Sequence, residues 1–175
     1  MPKRKLKPKP KPMRPKPKRV KPVPEGYHTV TPYLTVRGAD RAIDFYKRAF
    51  GAKELMRMRG PDGKRIMHAE IQVGDSIVFL SDEHPEMGSR SPESLGGVPG
   101  YLYLYVDDVD GTFKRAVDAG AKALMPVADM FWGDRFGKLA DPFGHEWGLS
   151  THKEDLTPEV IGRRAWAAFA GGSKA

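Results

Sequence analysis

The chain has 175 residues, 39% apolar and 30% charged, which is enough for one globular domain with its own core or for two small joined modules. It contains no cysteine, so a disulfide framework, a thiolate metal site and a cysteine nucleophile are excluded. The formal net charge of +8 is unevenly spread: residues 1–24 carry eleven Lys or Arg and no acid, which leaves 19 basic against 22 acidic residues in the remainder. A polyanion-binding reading is thereby confined to the first 24 residues, and the rest is mildly acidic.

Eight prolines interrupt that first segment, and it has almost no apolar side chains to bury. Residues 1–26 are predicted to form a disordered, extended Lys/Pro-rich tail. The tail serves either as a solvated solubility arm or as a nonspecific contact for nucleic acid, polyphosphate or anionic membrane. It lacks the interleaved aromatics of a single-strand stacking platform. Neither a signal peptide nor a transit peptide can be drawn here, and no stretch is long enough to span a bilayer. The expected location is the cytoplasm.

From Tyr27 onward the pattern changes. Thr29–Val36 alternates as a strand, and Asp40 is expected to cap a helix with Ala42, Phe45, Tyr46, Ala49 and Phe50 as its apolar stripe, ended by Gly51. Strands are predicted near Glu54–Arg59, Ile66–Val73 and Ser76–Ser81, the last two joined at Gly74-Asp75. His84–Pro99, rich in Gly, Pro, Ser and Glu, reads as an exposed loop. A strand at Tyr101–Val106, a helix from about Val109 to Ala119, and strands near Lys122–Met125, Gly137–Ala140 and His145–Ser150 follow. Thr157 and Pro158 then open a last helix with Ile161, Ala165 and Phe169 on one stripe, set across the sheet or onto a second subunit.

The two halves repeat. Tyr33-Leu34-Thr35-Val36 before Asp40 returns as Tyr103-Leu104-Tyr105-Val106 before Asp110; Gly51-Ala52-Lys53 returns as Gly120-Ala121-Lys122, and Leu80-Ser81 as Leu149-Ser150. Three matches in one order define two copies of a β-α-β-β-β module. The fold class is therefore α+β, with modules at about 29–83 and 100–152 inside a domain spanning 27–152, and a C-terminal helix and tail over 153–175.

The run Val36-Arg37-Gly38-Ala39-Asp40-Arg41-Ala42-Ile43-Asp44-Phe45-Tyr46 and the later Asp141-Pro142-Phe143-Gly144-His145-Glu146-Trp147 resemble the vicinal oxygen chelate superfamily. That superfamily contains glyoxalase I, extradiol dioxygenases, fosfomycin-resistance enzymes and the bleomycin-resistance protein. Phe131-Trp132-Gly133-Asp134-Arg135 and Thr151-His152 are similar to its PhnB-like branch. The resemblance implies paired modules curled into a cup-shaped mixed sheet, a divalent metal inside the cup of catalytic members, and homodimers in which both chains complete each cup. The metal-ligand positions it implies fall on Thr31, Phe79, Tyr101 and Gly148, none of which offers an imidazole or carboxylate. No metal or other cofactor is therefore expected, and fold alone does not carry a reaction over.

If the implied ligand positions Thr31, Phe79, Tyr101 and Gly148 point into the cup, strand alternation brings Tyr33, Thr35, Ile77 and Ser81 to the cup side of one module, and Tyr103, Tyr105, Glu146 and Ser150 to that of the other. Such a lining either fills the cup as core or suits a small apolar or aromatic ligand. Trp132, Asp134 and Arg135 are expected on a loop at the cup mouth or at a dimer contact. The ligand-binding candidates are thus Tyr33, Phe79, Tyr101, Tyr103, Trp132, Asp134, Arg135 and Glu146. His68 and Glu70, two apart on one strand, form a solvated strand face, an acid–base pair or, with His145 or Glu146, a relocated metal site for a lyase or dioxygenase. Asp141 and Gly144 read as turn chemistry. Three functions stand open: metal-free small-molecule binding, a metal-dependent enzyme with displaced ligands, and nucleic-acid association through the tail.

Overall fold

The computed structural model describes residues 21–171. The first module runs β1 (Tyr33–Val36), α1 (Ala39–Phe50), β2 (Lys53–Arg59), β3 (Ile66–Val73) and β4 (Ser76–Asp82). The second runs β5 (Tyr101–Tyr105), α3 (Val109–Asp118), β6 (Lys122–Asp129), β7 (Asp134–Ala140) and β8 (Glu146–His152), with α2 (Pro92–Leu95) between the modules and α4 (Pro158–Gly171) after them. Each module forms its own four-stranded mixed sheet, in orders β1-β4-β3-β2 and β5-β8-β7-β6. In both, the first strand pairs parallel with the last, Tyr33 opposite Phe79 and Tyr103 opposite Gly148. The α+β class and the repeated β-α-β-β-β order agree with the expectation from sequence. The tail up to residue 20 and the last four residues lie outside the described segment.

Alternation along the strands assigns the two faces of each sheet. Leu34, Val36, Ala69, Ile71, Val73, Val78 and Leu80 turn toward the helices and are buried, as are Leu139, Trp147 and Leu149 of the second sheet. Helix α1 supplies Ile43, Phe45 and Tyr46, all fully buried, each contributing about 1.5–3 kcal/mol of apolar burial. It packs on α3, and its rings also meet Phe143 and Trp147 of the second module at 4.8–6.4 Å. The helical sides of both modules therefore share one core. Their other faces look away from it.

Several local expectations are corrected. Helix α1 starts at Ala39, preceded by Gly38 in the left-handed region at φ 91°, and Asp40 does not cap it. Asp82, at the end of β4, does so instead: its Oδ1 accepts from the Gly38 and Ala39 amides at 2.8 Å each. Asp40 pairs with Arg57 and Arg59. The connection expected as an exposed loop holds a short 3₁₀ turn, Pro85–Met87, and α2, with His84, Ser91 and Pro92 buried. Glu83 fastens it, accepting from Arg37, the Ser91 amide and the Ser94 hydroxyl; these donors bring its carboxyl down to about 2. Strand β7 begins three residues earlier than expected, at Asp134, because Met130–Gly133 is a tight turn closed by Met130 N–H to Asp134 O at 2.8 Å.

Helix α4 begins as expected, the Thr157 hydroxyl accepting from the Val160 amide. Its expected stripe is only partly used. Phe169 touches Phe131 with ring centroids 5.7 Å apart yet stays 71% exposed, and Trp166 is 79% exposed.

Candidate functional site

The sheet faces turned away from the helices carry the chemistry. On the first, β1 presents Tyr33, β4 presents Phe79 and β3 presents His68 and Glu70, all drawn into one cluster by strand register. Phe79 sits centrally, with Tyr33, His68 and Tyr27 rings at 5.9, 5.0 and 5.9 Å. Polar atoms form a chain across it. The Tyr27 hydroxyl donates to Glu70 Oε2 at 2.5 Å, Glu70 Oε1 lies 3.3 Å from His68 Nε2, and His68 Nδ1 lies 3.3 Å from the Tyr33 hydroxyl. The Glu70 hydrogen bond, with partial desolvation, raises the Tyr27 phenol above its ordinary value, so it stays a donor.

On the second, β5 presents Tyr101, Tyr103 and Tyr105 in a row, 47%, 40% and 62% exposed. Lys138 of β7 stands 4.6 Å above the Tyr101 ring and is ion-paired with Glu146 at 2.5 Å. Tyr103 stacks on Phe136, and Trp132 meets Phe136 edge-on at 5.8 Å. Asp134 is buried at the end of this row and accepts from Tyr103 at 3.1 Å, Tyr105 at 3.2 Å and His152 Nδ1 at 2.7 Å. Burial disfavours the Asp134 charge, but these donors outweigh it and its carboxyl lies below the ordinary range. In return, the Asp134 and Asp155 carboxylates raise the His152 imidazole, while burial beside Asp134 pushes the Tyr103 phenol up to about 12.

Of the residues singled out from sequence, Tyr33, Phe79, His68 and Glu70 come together on the first face. Tyr101, Tyr103, Glu146, Asp134 and Trp132 come together on the second. Arg135 does not join them: it lies on the opposite side of β7, paired with Asp110 of α3 and Asp129 of β6. His145 is also apart, its Nε2 2.9 Å from the Thr35 carbonyl. Lys138, Phe136 and His152 were missed, although continuing the alternation two residues past Ser150 reaches His152. Tyr27 had no such signal, since it comes from the coil before β1.

The donor set does not fit the divalent metal that the resemblance implies. Thr31 lies outside β1 with its hydroxyl on the His28 carbonyl, and Phe79 is a ring in an aromatic cluster. A Cβ at Gly148 would stand 2.7 Å from the Phe136 ring and 2.8 Å from that of Tyr101, so aromatic rings fill the space a ligand side chain would need. His68 and Glu70 are two donors facing one another, and no group of three His, Asp or Glu converges among the described residues.

Paired β-α-β-β-β modules with parallel first and last strands define the class of fold, and the positions that the resemblance implies for metal ligands hold aromatic or small residues here. Residues 27–149 match the profile of the Glyoxalase/Bleomycin resistance protein/Dioxygenase superfamily, and the chain belongs to that superfamily. An uncharacterized protein of Mycobacterium bovis is 48% identical over 135 residues, covering 75% of this chain and 88% of that protein. The crystal structure of TioX from Micromonospora sp. ML1 is 31% identical, with a TM-score of 0.54, over 69% of this chain and 94% of that one. The PhnB protein from Bacillus cereus shares the fold at 20% identity, with a TM-score of 0.55, over 71% and 99% of the two chains.

Proposed function

We propose that this protein binds a small planar or aromatic molecule on its aromatic sheet faces without using a metal. The carrying observation is the row Tyr101, Tyr103 and Tyr105, which stays 40–62% exposed while the opposite side of the same strand packs on the core. Rings left open in this way, with hydroxyls oriented by a buried carboxylate and an ion pair at one end, combine stacking area with a few fixed polar contacts. The aromatic groups of the two faces are separate within one chain. Closure of a cup therefore falls to a second copy, whose first face meets the second face of its partner in a homodimer. No described helix is long and apolar enough to cross a membrane, and a cytoplasmic location fits this reading.

Among the described residues, the enzyme reading with His68 and Glu70 as displaced metal ligands has no third His, Asp or Glu beside them. The tail reading rests on residues 1–24, of which 1–20 lie outside the described segment. Native mass spectrometry of protein purified without chelators or organic solvent tests the proposal directly. The expected spectrum is a dimer carrying a small organic adduct that is released on denaturation. A metal-bearing species with no organic adduct would contradict it.

A further inference from the structure

The chain contains six tyrosines, and their partners differ in kind. Tyr27 donates to Glu70, Tyr46 to Asp141, and Tyr103 and Tyr105 to Asp134, all carboxylates. Tyr101 lies beneath Lys138. Tyr33 alone has a basic nitrogen, His68 Nδ1, beside its hydroxyl.

The neighbours of His68 fix which nitrogen is basic. Glu70 as a carboxylate can only accept, so the contact at Nε2 places the imidazole proton there and leaves the Nδ1 lone pair toward Tyr33. Glu70 is itself held, because Tyr27 occupies its other oxygen at 2.5 Å. The imidazole is braced edge-on against Phe79. His68 and Glu70 side chains are 21% and 14% exposed, whereas Tyr33 is 51% exposed. The sequence of contacts is thus carboxylate, imidazole, phenol, running from a sheltered end to an open one.

We propose that Tyr27, Glu70, His68 and Tyr33 form a proton relay that makes the Tyr33 hydroxyl an acid–base group toward a carbonyl- or hydroxyl-bearing ligand on the first face. A ligand O–H gives its proton to the Tyr33 oxygen while the Tyr33 proton moves to His68 Nδ1. The imidazolium so formed is faced through Nε2–H by the Glu70 carboxylate, and the reverse shift returns the proton. Only O–H and N–H bonds change, and no oxidant or metal is required. The 3.3 Å contacts are those of a resting site, which tightens when a reacting group arrives. The relay shares a face with the proposed binding function, but its test needs no bound ligand, so either idea can fail alone.

The experiment uses p-nitrophenyl acetate with the full-length protein at mild alkaline pH, followed by peptide mapping of each tyrosine. The Tyr33 oxygen attacks the acyl carbon, its proton passes to His68 Nδ1, and p-nitrophenolate leaves. Tyr101, 47% exposed and without an imidazole, is the internal reference. The relay predicts acetylation of Tyr33 about 10²-fold faster than of Tyr101, in the range of general-base assistance. His68→Gln should bring Tyr33 down to the Tyr101 rate, and Tyr27→Phe, which removes one hydroxyl, should lower it severalfold. Equal labelling in the wild type, or a Tyr33 rate unchanged by His68→Gln, would overturn the proposal.

Discussion

Gly148 shows how one missing side chain shapes the site. Its place opposite Tyr103 is filled by the Tyr101 and Phe136 rings, so Gly148→Ala must push at least one of them aside. Overpacking of this kind costs about 1–3 kcal/mol; urea denaturation should show that loss, and an unchanged midpoint would speak against the ring placement. Asp134 and His152 give a pH-dependent counterpart. The folded imidazole titrates above its ordinary 6.5, so its contribution to stability is fully present below that value and is lost as pH rises through the raised one. The folded Asp134 carboxyl titrates below 3.8, so its share is present above that value and lost as pH falls through the lowered one. The thermal midpoint of the wild type should therefore exceed that of His152→Gln most at about pH 5–6 and converge with it in alkaline buffer. Calorimetry between these conditions checks it, and a constant gap would contradict it. Asp134 was legible as a polar residue near the mouth, but its burial was not, because nothing local in sequence announces three donors arriving from β5 and β8.

At the scale of elements, repetition made the module order readable: Tyr33 and Tyr103, with Phe79 and Gly148, keep their offsets as strand partners. Long-range contacts stayed hidden. Asp141 was expected as turn chemistry, and its Oδ1 does accept from the Phe143 and His145 amides. Its Oδ2, however, takes the Tyr46 hydroxyl at 2.7 Å and the Trp147 indole N–H at 3.0 Å, joining α1 of one module to β8 of the other. Burial with this carboxylate beside it drives the Tyr46 phenol well above its ordinary value. Asp141→Ala would leave buried donors unpaired on both modules, at about 3 kcal/mol or more. Chemical denaturation of that variant should show the loss, and a change under about 0.5 kcal/mol, the usual surface range, would contradict the docking role. The helix cap from Asp82 was hidden for the same reason, since it arrives from a strand more than forty residues away.

For the whole molecule, the charge of +8 divides into a basic tail and a mildly acidic remainder whose open faces are aromatic. Deleting residues 1–24 is expected to abolish salt-sensitive retention on a heparin column and to leave the remaining fold intact by circular dichroism; unchanged retention would return the polyanion role to the folded part. The architecture was readable because periodicity and turn residues act locally, and the family because the runs Val36–Tyr46 and Asp141–Trp147 resemble it, whereas the relation between the two faces depends on a surface that one chain leaves open. The central claim is that these aromatic faces hold a planar ligand. It is tested most directly by titrating wild type and Tyr103→Ala with the neutral dye N-phenyl-1-naphthylamine and following dye fluorescence. Saturable binding to the wild type, weakened about tenfold by loss of the stacked ring, is the predicted result. Absence of saturable binding, or equal affinity in the two proteins, would contradict it.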